Sequence, residues 1–242
     1  MYKHGVQAEL APTLDSLPPA GVLTVPVYIG TAPVEELSDP SGVINTPILV
    51  SSFPDAEAKL GYSEDWAKYT LCEPINAHFR NSIGNIGPIV LINVLDPAVH
   101  NETTPVEETD IIGGIDADGG RTGIACVDLI YQMYNIIPSI LAAPGWSQKK
   151  TVKEALEAKA QKINGHWDVI CVVDLDSSES KTIDAVKAWK ETNEYNTRIS
   201  KVCWPKAKSG DRTYWLSTLA VARMQLTDYG NDNVPYESPS NK

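Results

Sequence analysis

The stretch VICVVDLDSS, residues 169–178, carries the side chains best placed to do chemistry. It sets Asp174 and Asp176 at the carboxyl end of an apolar run of strand type. Two carboxylates at such a place could hold Mg²⁺ or work as an acid/base pair. In open α/β sheets, ligands bind beyond the carboxyl ends of the strands. The plainer reading makes Asp176 and the following serines caps of the next helix. No second cluster in the sequence converges on the pair, so the plainer reading is preferred.

Other motifs stop short of function. GWSQK (145–149) sits between a strand and a helix, as a nucleophile elbow does. That motif needs glycine where Lys149 stands, so Ser147 reads as a residue near a helix start. DADGG (116–120) resembles the opening of a calcium loop. Counted from Asp116, position 12 is Val127 and not the bidentate glutamate such a loop needs. It reads as a turn in an acidic loop. GIDADGGRT (114–122) has the glycines of a phosphate loop, but Gly120 replaces the lysine that meets the β/γ-phosphates. His4, His78, His100 and His166 show no ligand spacing. Cys72, Cys126, Cys171 and Cys203 are far apart, without a CxxC pair, and read as reduced, buried thiols of an intracellularly made protein. The six tryptophans are scattered and suit packing better than a cofactor box. No metal and no cofactor is expected.

The elements that must position these residues alternate. Val22–Gly30 and Pro47–Ser51 read as strands, and Asp55–Leu60 as a short helix closed by Gly61. Glu64–Ser82 reads as a helix kinked at Pro74. IVLINVL (89–95) is a continuous apolar run, the pattern of a strand covered on both faces. Residues 96–122 read as a long loop with seven acids (Asp96, Glu102, Glu107, Glu108, Asp110, Asp116, Asp118) and one base, Arg121. Ile124–Ile136 then reads as a helix and Ser139–Ala143 as a strand. Val152–Asn164 is a helix boxed by Thr151 and Glu154 and stopped by Gly165. Val169–Leu175 is a strand, Ser180–Tyr195 a helix and Lys201–Trp204 a strand. Tyr214–Tyr229 is a helix capped by Thr213 and ended by Gly230. Prolines at 12, 19, 26, 33, 40, 47 and 54 keep any long helix out of the first fifth. The rhythm predicts an α/β fold with a mostly parallel sheet and flanking helices.

Bulk properties exclude some functions. The 242 residues suffice for a sizeable core. Thirty-one acids against 20 bases give a net charge of −11. A surface of that sign repels phosphate, which argues against direct nucleic-acid binding. The longest uncharged stretch, Leu129–Gln148, is broken by Asn135, Pro138, Pro144 and Gly145, so no membrane span is expected. The N-terminus lacks a basic region followed by an apolar one, so no signal peptide is expected.

One stretch has no local partner. In HGVQAEL (4–10), Val6, Ala8 and Leu10 alternate with Gln7 and Glu9, the period of a half-buried strand. No hairpin turn follows. The chain runs on through Leu14, Leu17 and the prolines at 12, 18 and 19. An isolated strand on a stiff lead can satisfy its backbone by adding to another chain's sheet edge. Val6, Gln7, Ala8, Glu9, Leu10, Leu14 and Leu17 are therefore the candidate interface arm.

Taken in order, HGVQAEL…PP…VPVYIGTAP (4–33), NTPILV (45–50), LGYSEDWAKYTLCE (60–73), VLINVLDP (90–97), GGRTGI (119–124) and ILAAPGWS (140–147) resemble contractile-tail sheath proteins. These occur in myovirus-type bacteriophages, prophages and R-type bacteriocins. The resemblance implies a virion tail component, made in the host bacterial cytoplasm, that polymerises as stacked hexameric rings around a tail tube. Exchanged terminal strands link its subunits, and contraction drives the tube through the target envelope. Implied partners are neighbouring subunits, the tail tube protein, the baseplate and the tail terminator, with no cofactor. Implied organisation is an extended arm for strand exchange (1–20), the first part of the body (21–95), an acidic surface loop (96–122) and an α/β body (123–230). A polar tail (231–242) then leads to a further C-terminal domain, which carries the receiving sheet. On that expectation the chain is an N-terminal fragment or a C-terminally truncated form. The rival is a small α/β enzyme, metal- or ligand-dependent, that uses Asp174 and Asp176. An adaptor donating its strand to a different protein is a third reading.

Overall fold

Short runs that are mostly apolar and rich in β-branched residues cannot leave one face in water. They become strands buried on both sides. PVYIG, IVLIN and ICVVD do this here, and the sheet they build sets the architecture. The computed structural model describes residues 24–81, 85–178 and 181–240. The first half holds β1 (Pro26–Gly30), β2 (Pro47–Val50), α1 (Phe53–Leu60), α2 (Cys72–Phe79) and β3 (Ile89–Asn93). Next come α3 (Glu108–Ile112), β4 (Gly114–Ile115), β5 (Arg121–Thr122), α4 (Ile130–Tyr134) and β6 (Ile140–Ala142). The rest is α5 (Lys150–Ala160), β7 (Ile170–Asp174), α6 (Ile183–Thr192), β8 (Ser200–Cys203), β9 (Ala207–Ser209), β10 (Arg212–Tyr214) and α7 (Leu216–Gly230).

Six strands form one sheet in the order β2-β3-β1-β6-β7-β8. All neighbours are parallel except β2 and β3. Alternation along each strand divides the core in two. Val27, Ile29, Val90, Ile92, Leu141, Cys171 and Val173 face one layer, with Val152, Leu156 and Ala160 of α5 and Ile130 of α4. Tyr28, Ile89, Leu91, Ala142 and Val172 face the other, with Ala56 of α1, Ile75 of α2 and Val221 of α7. The result is helices on both faces of a mostly parallel sheet, the predicted fold class. The N-terminal arm lies outside the described residues.

The structure corrects several local readings. The predicted helix Glu64–Ser82 is helical only over Cys72–Phe79, preceded by turns. Pro74 therefore stands in the first turn, where its missing N–H costs no hydrogen bond, and no kink arises. Residues 96–122 are not one irregular loop, since they contain α3 and the β4–β5 pair. Ile124–Ile136 divides into a 3-10 segment, Gly123–Leu129, and the short α4, ended by Asn135 at φ 54°. Helix α5 starts at Lys150 without the Thr151–Glu154 box, because the Thr151 hydroxyl donates instead to Glu108. Thr213 is in β10 and does not cap α7; the β9–β10 hairpin was not read from the sequence.

Leu91 is fully buried on β3, an interior strand of the sheet. Leu91→Ala is expected to lower stability by about 2–5 kcal/mol in urea unfolding. Lys187→Ala on the exposed face of α6 should change it by less than about 0.5 kcal/mol.

Candidate functional site

The carboxyl ends of β1, β6, β7 and β8 share one rim of the sheet, where Asp174 lies. Helix α7 starts there, over the ends of β7 and β8. A helix start leaves N–H groups without intrahelical partners, and buried ones must find acceptors. Here two buried carboxylates supply them. Asp174 Oδ1 accepts from the Ser217 N–H at 3.0 Å, and Oδ2 is bonded to the Ser217 hydroxyl. Glu73, from the first turn of α2, accepts from the Trp215 N–H at 2.8 Å and the Thr218 hydroxyl at 2.8 Å. The far end of α7 is pinned by polar contacts too. Gln225 donates to the carbonyls of Thr24 (2.9 Å) and Pro88 (2.7 Å), and Thr24 donates to Asp228.

Burial pushes the Asp174 carboxyl up to about 7, against the hydrogen bonds from Ser217 and the charge of Lys206. Burial pushes Glu73 up to about 8, against its bonds from Thr218 and Trp215, with the Asp174 charge adding to the rise. Such shifts are common at catalytic carboxylates, and also in structural networks. Geometry decides between them. Both oxygens of the Asp174 carboxylate are bonded to Ser217, at the start of α7. Asp176 does not join it: its Oδ1 accepts from the N–H (2.7 Å) and hydroxyl (2.6 Å) of Ser178, closing the next turn. Asp176 thus caps a turn rather than the following helix, whose cap is Thr182, accepting from the Ala185 N–H at 3.2 Å.

The other sequence candidates resolve similarly. Ser147 is buried; its hydroxyl accepts from the Asp174 N–H (3.0 Å) and its carbonyl from the Tyr195 hydroxyl (2.8 Å). Those bonds tie the turn before α5 to β7 and to the segment after α6. Asp116 Oδ1 accepts from the N–H groups of Asp118 (3.0 Å) and Gly120 (2.7 Å), so DADGG is the turn between β4 and β5. Burial pushes all four thiols up to about 12, which keeps them protonated at neutral pH. His78 is buried between the Tyr28 hydroxyl (2.8 Å) and the Ile86 carbonyl (3.1 Å), and burial lowers it to about 4. Among the described residues, no three His, Cys, Asp or Glu are grouped to hold a metal, and no helix is long and apolar enough to cross a membrane.

Sequence reasoning missed Glu73, Ser217 and Thr218. A lone glutamate in a helical stretch looks solvent-facing, and nothing local marks it as buried. The candidate arm Val6, Gln7, Ala8, Glu9, Leu10, Leu14 and Leu17 lies outside the described residues, as does His4. One cleft, about 660 Å³, opens on the same rim, between Thr31, Lys68, Leu95, His100, Val106 and Trp146. Neither Asp174 nor Asp176 lines it. Beneath it the loops are knotted. The Thr70 hydroxyl accepts from the Thr31 N–H (3.2 Å) and Trp146 Nε1 (3.2 Å), and Gly30 leaves room because a Cβ there would meet that oxygen at 2.3 Å.

No protein-family profile matches the sequence. Individual proteins do. A prophage major tail sheath protein of Pseudomonas aeruginosa (strain UCBPP-PA14) is 27% identical over 144 residues, which cover 58% of this chain and 35% of that protein. The tail sheath protein of Burkholderia phage BcepMu is 29% identical over 115 residues, 46% of this chain and 23% of that protein. Over these stretches the chain is similar to tail sheath proteins. The matched stretch spans about a third or less of these relatives' length. In fold, the chain resembles one in the cryo-EM structure of the anti-feeding prophage baseplate, with TM-score 0.52 and 16% identity over 100% of this chain and 56% of that one.

The carboxylate pair has a pH signature. Both pKa values are raised on folding, so the folded chain keeps protons that the unfolded chain gives up. Their contribution is fully present below about pH 4 and is lost as pH rises toward 7 for Asp174 and 8 for Glu73. His78 works in the opposite sense, costing stability as pH falls from about 6.5 toward 4. Urea midpoints should therefore fall from pH 6.5 to pH 8.5 in the wild type. In Glu73→Gln/Asp174→Asn that fall should flatten; an unchanged slope would contradict the clamp. Mg²⁺ titrated in a calorimeter should give the same heats with wild type and Asp174→Asn. A saturable heat lost in the variant would revive the enzyme.

Proposed function

We propose that this chain is a structural subunit, or part of one, in a contractile tail sheath, and not an enzyme. In this reading, copies stack as rings around a tail tube and are linked by exchanged strands. The sheath shortens by rearranging interfaces between discrete states, with the baseplate and tail terminator at its ends. The arm, residues 1–20, links neighbours, and the acidic segment 96–122 faces outward. The virion tail is the proposed location.

The observation that carries the reading is the 27% identity over 144 residues to a prophage tail sheath protein. The geometry of the rim supports it. Where an α/β enzyme keeps free carboxylates, Asp174 and Glu73 hold the start of α7.

Negative-stain electron microscopy of the polypeptide as its gene encodes it tests this. Tubes or rings are expected, and none from a variant lacking residues 1–17. Monomers from both would overturn the polymer reading.

A further inference from the structure

At the amino rim of the sheet, three entries of the chain stand side by side. Pro26 pairs with Ile140 and Ile140 with Ile170, so β1, β6 and β7 begin in register. Leu23, Ile137 and Trp167 each come three residues ahead of those starts. The entry to β1 is firmly held. The Val25 N–H donates to the Ser139 hydroxyl (2.7 Å), and the Ser139 N–H donates to the Val25 carbonyl (3.0 Å). The Thr24 hydroxyl donates to Asp228, and its carbonyl accepts from Gln225. Residues 1–23, outside the described part of the chain, therefore join the body at this rim.

The rim beside that junction is apolar and open to water among the described residues. Ile137 (45% exposed) precedes β6, and Ile170 (38% exposed) opens β7. Tyr131 and Met133 are exposed on α4 (40% and 46%), and the Tyr131 ring packs on Trp167 with centroids 4.8 Å apart. Scattered exposed apolar side chains are ordinary. Five of them on one short helix and two neighbouring strand entries make a contact surface.

We propose that residues 11–23 of the same chain, APTLDSLPPAGVL, lie across this surface and pack on the Tyr131–Trp167 pair. Place, reach and chemistry select this occupant. The segment ends at Thr24, on the same rim. Two inter-strand steps, about 10 Å, separate the start of β1 from that of β7. Residues 11–23, extended at about 3.1 Å each, reach roughly 40 Å. The segment holds three prolines, Leu14, Leu17, Val22 and Leu23, and Asp15 is its one charge. Proline-rich segments dock on aromatic-lined surfaces because their extended form is already set and loses little entropy. The inference goes beyond the sheath reading and does not need it. Residues 4–10 stay clear of the surface, and the docked segment gives them a fixed point of departure from the body.

Hydrogen–deuterium exchange of the full chain, read by mass spectrometry over a wide dilution series, tests this. Peptides within residues 13–23 are expected to exchange at least about tenfold more slowly than unstructured chain, equally at every dilution. Tyr131→Ser/Trp167→Ser removes the aromatic pair and should abolish that protection with an unchanged circular dichroism spectrum. Exchange at the unstructured rate, or equal protection in the folded variant, overturns the proposal. So does protection that grows with protein concentration, since that assigns the surface to a second copy. If the aromatic variant misfolds, Leu14→Ser/Leu17→Ser decides, because it leaves every residue of the body in place. Hydroxyl-radical labelling of Tyr131 and Trp167 should then rise severalfold over wild type, while Trp66, which packs on Tyr214, is labelled as before. Unchanged labelling of the Tyr131–Trp167 pair overturns the proposal.

Discussion

Helix α7 depends on two buried carboxylates. Much of the face it turns inward is polar: Ser217, Thr218, Gln225, Thr227 and Asp228 are all buried. Apolar burial alone does not explain its seat. Glu73 from α2 and Asp174 from β7 accept the bonds of its first turn and so join three elements at one point. A helix start favours negative charge, whereas burial opposes it. Burial prevails, and both groups hold protons above the ordinary carboxylate range. A protonated carboxyl still has an oxygen to offer an N–H, so the clamp survives the loss of charge. Helix α7 then covers the ends of β7 and β8, and the two carboxylates at that rim serve as its joint.

What was legible in the sequence follows from this. IVLIN and ICVVD could be read as buried strands because their apolar runs have one physical solution, and the parallel α/β fold came with them. Helix starts were less legible. Those of α5 and α7 were assigned to Thr151 and Thr213, good local caps, but both residues are committed elsewhere. The α7 start is met by residues 43 and 142 or more positions away in the chain, which no local pattern can show. Asp174 stood out in the sequence by its place at a strand end, and its partner Ser217 did not. The acidic stretch 96–122 hid α3 because its cap is formed by two acids, Glu107 and Asp110, reading each other's backbone N–H groups.

Cryo-EM of tail particles purified from cells that produce this chain addresses the central claim most directly. The account predicts density for this fold in rings around a central tube, with the α7 start seated on Asp174 and Glu73. A tail whose sheath density is built from a different protein, with this chain absent from it, would contradict the account.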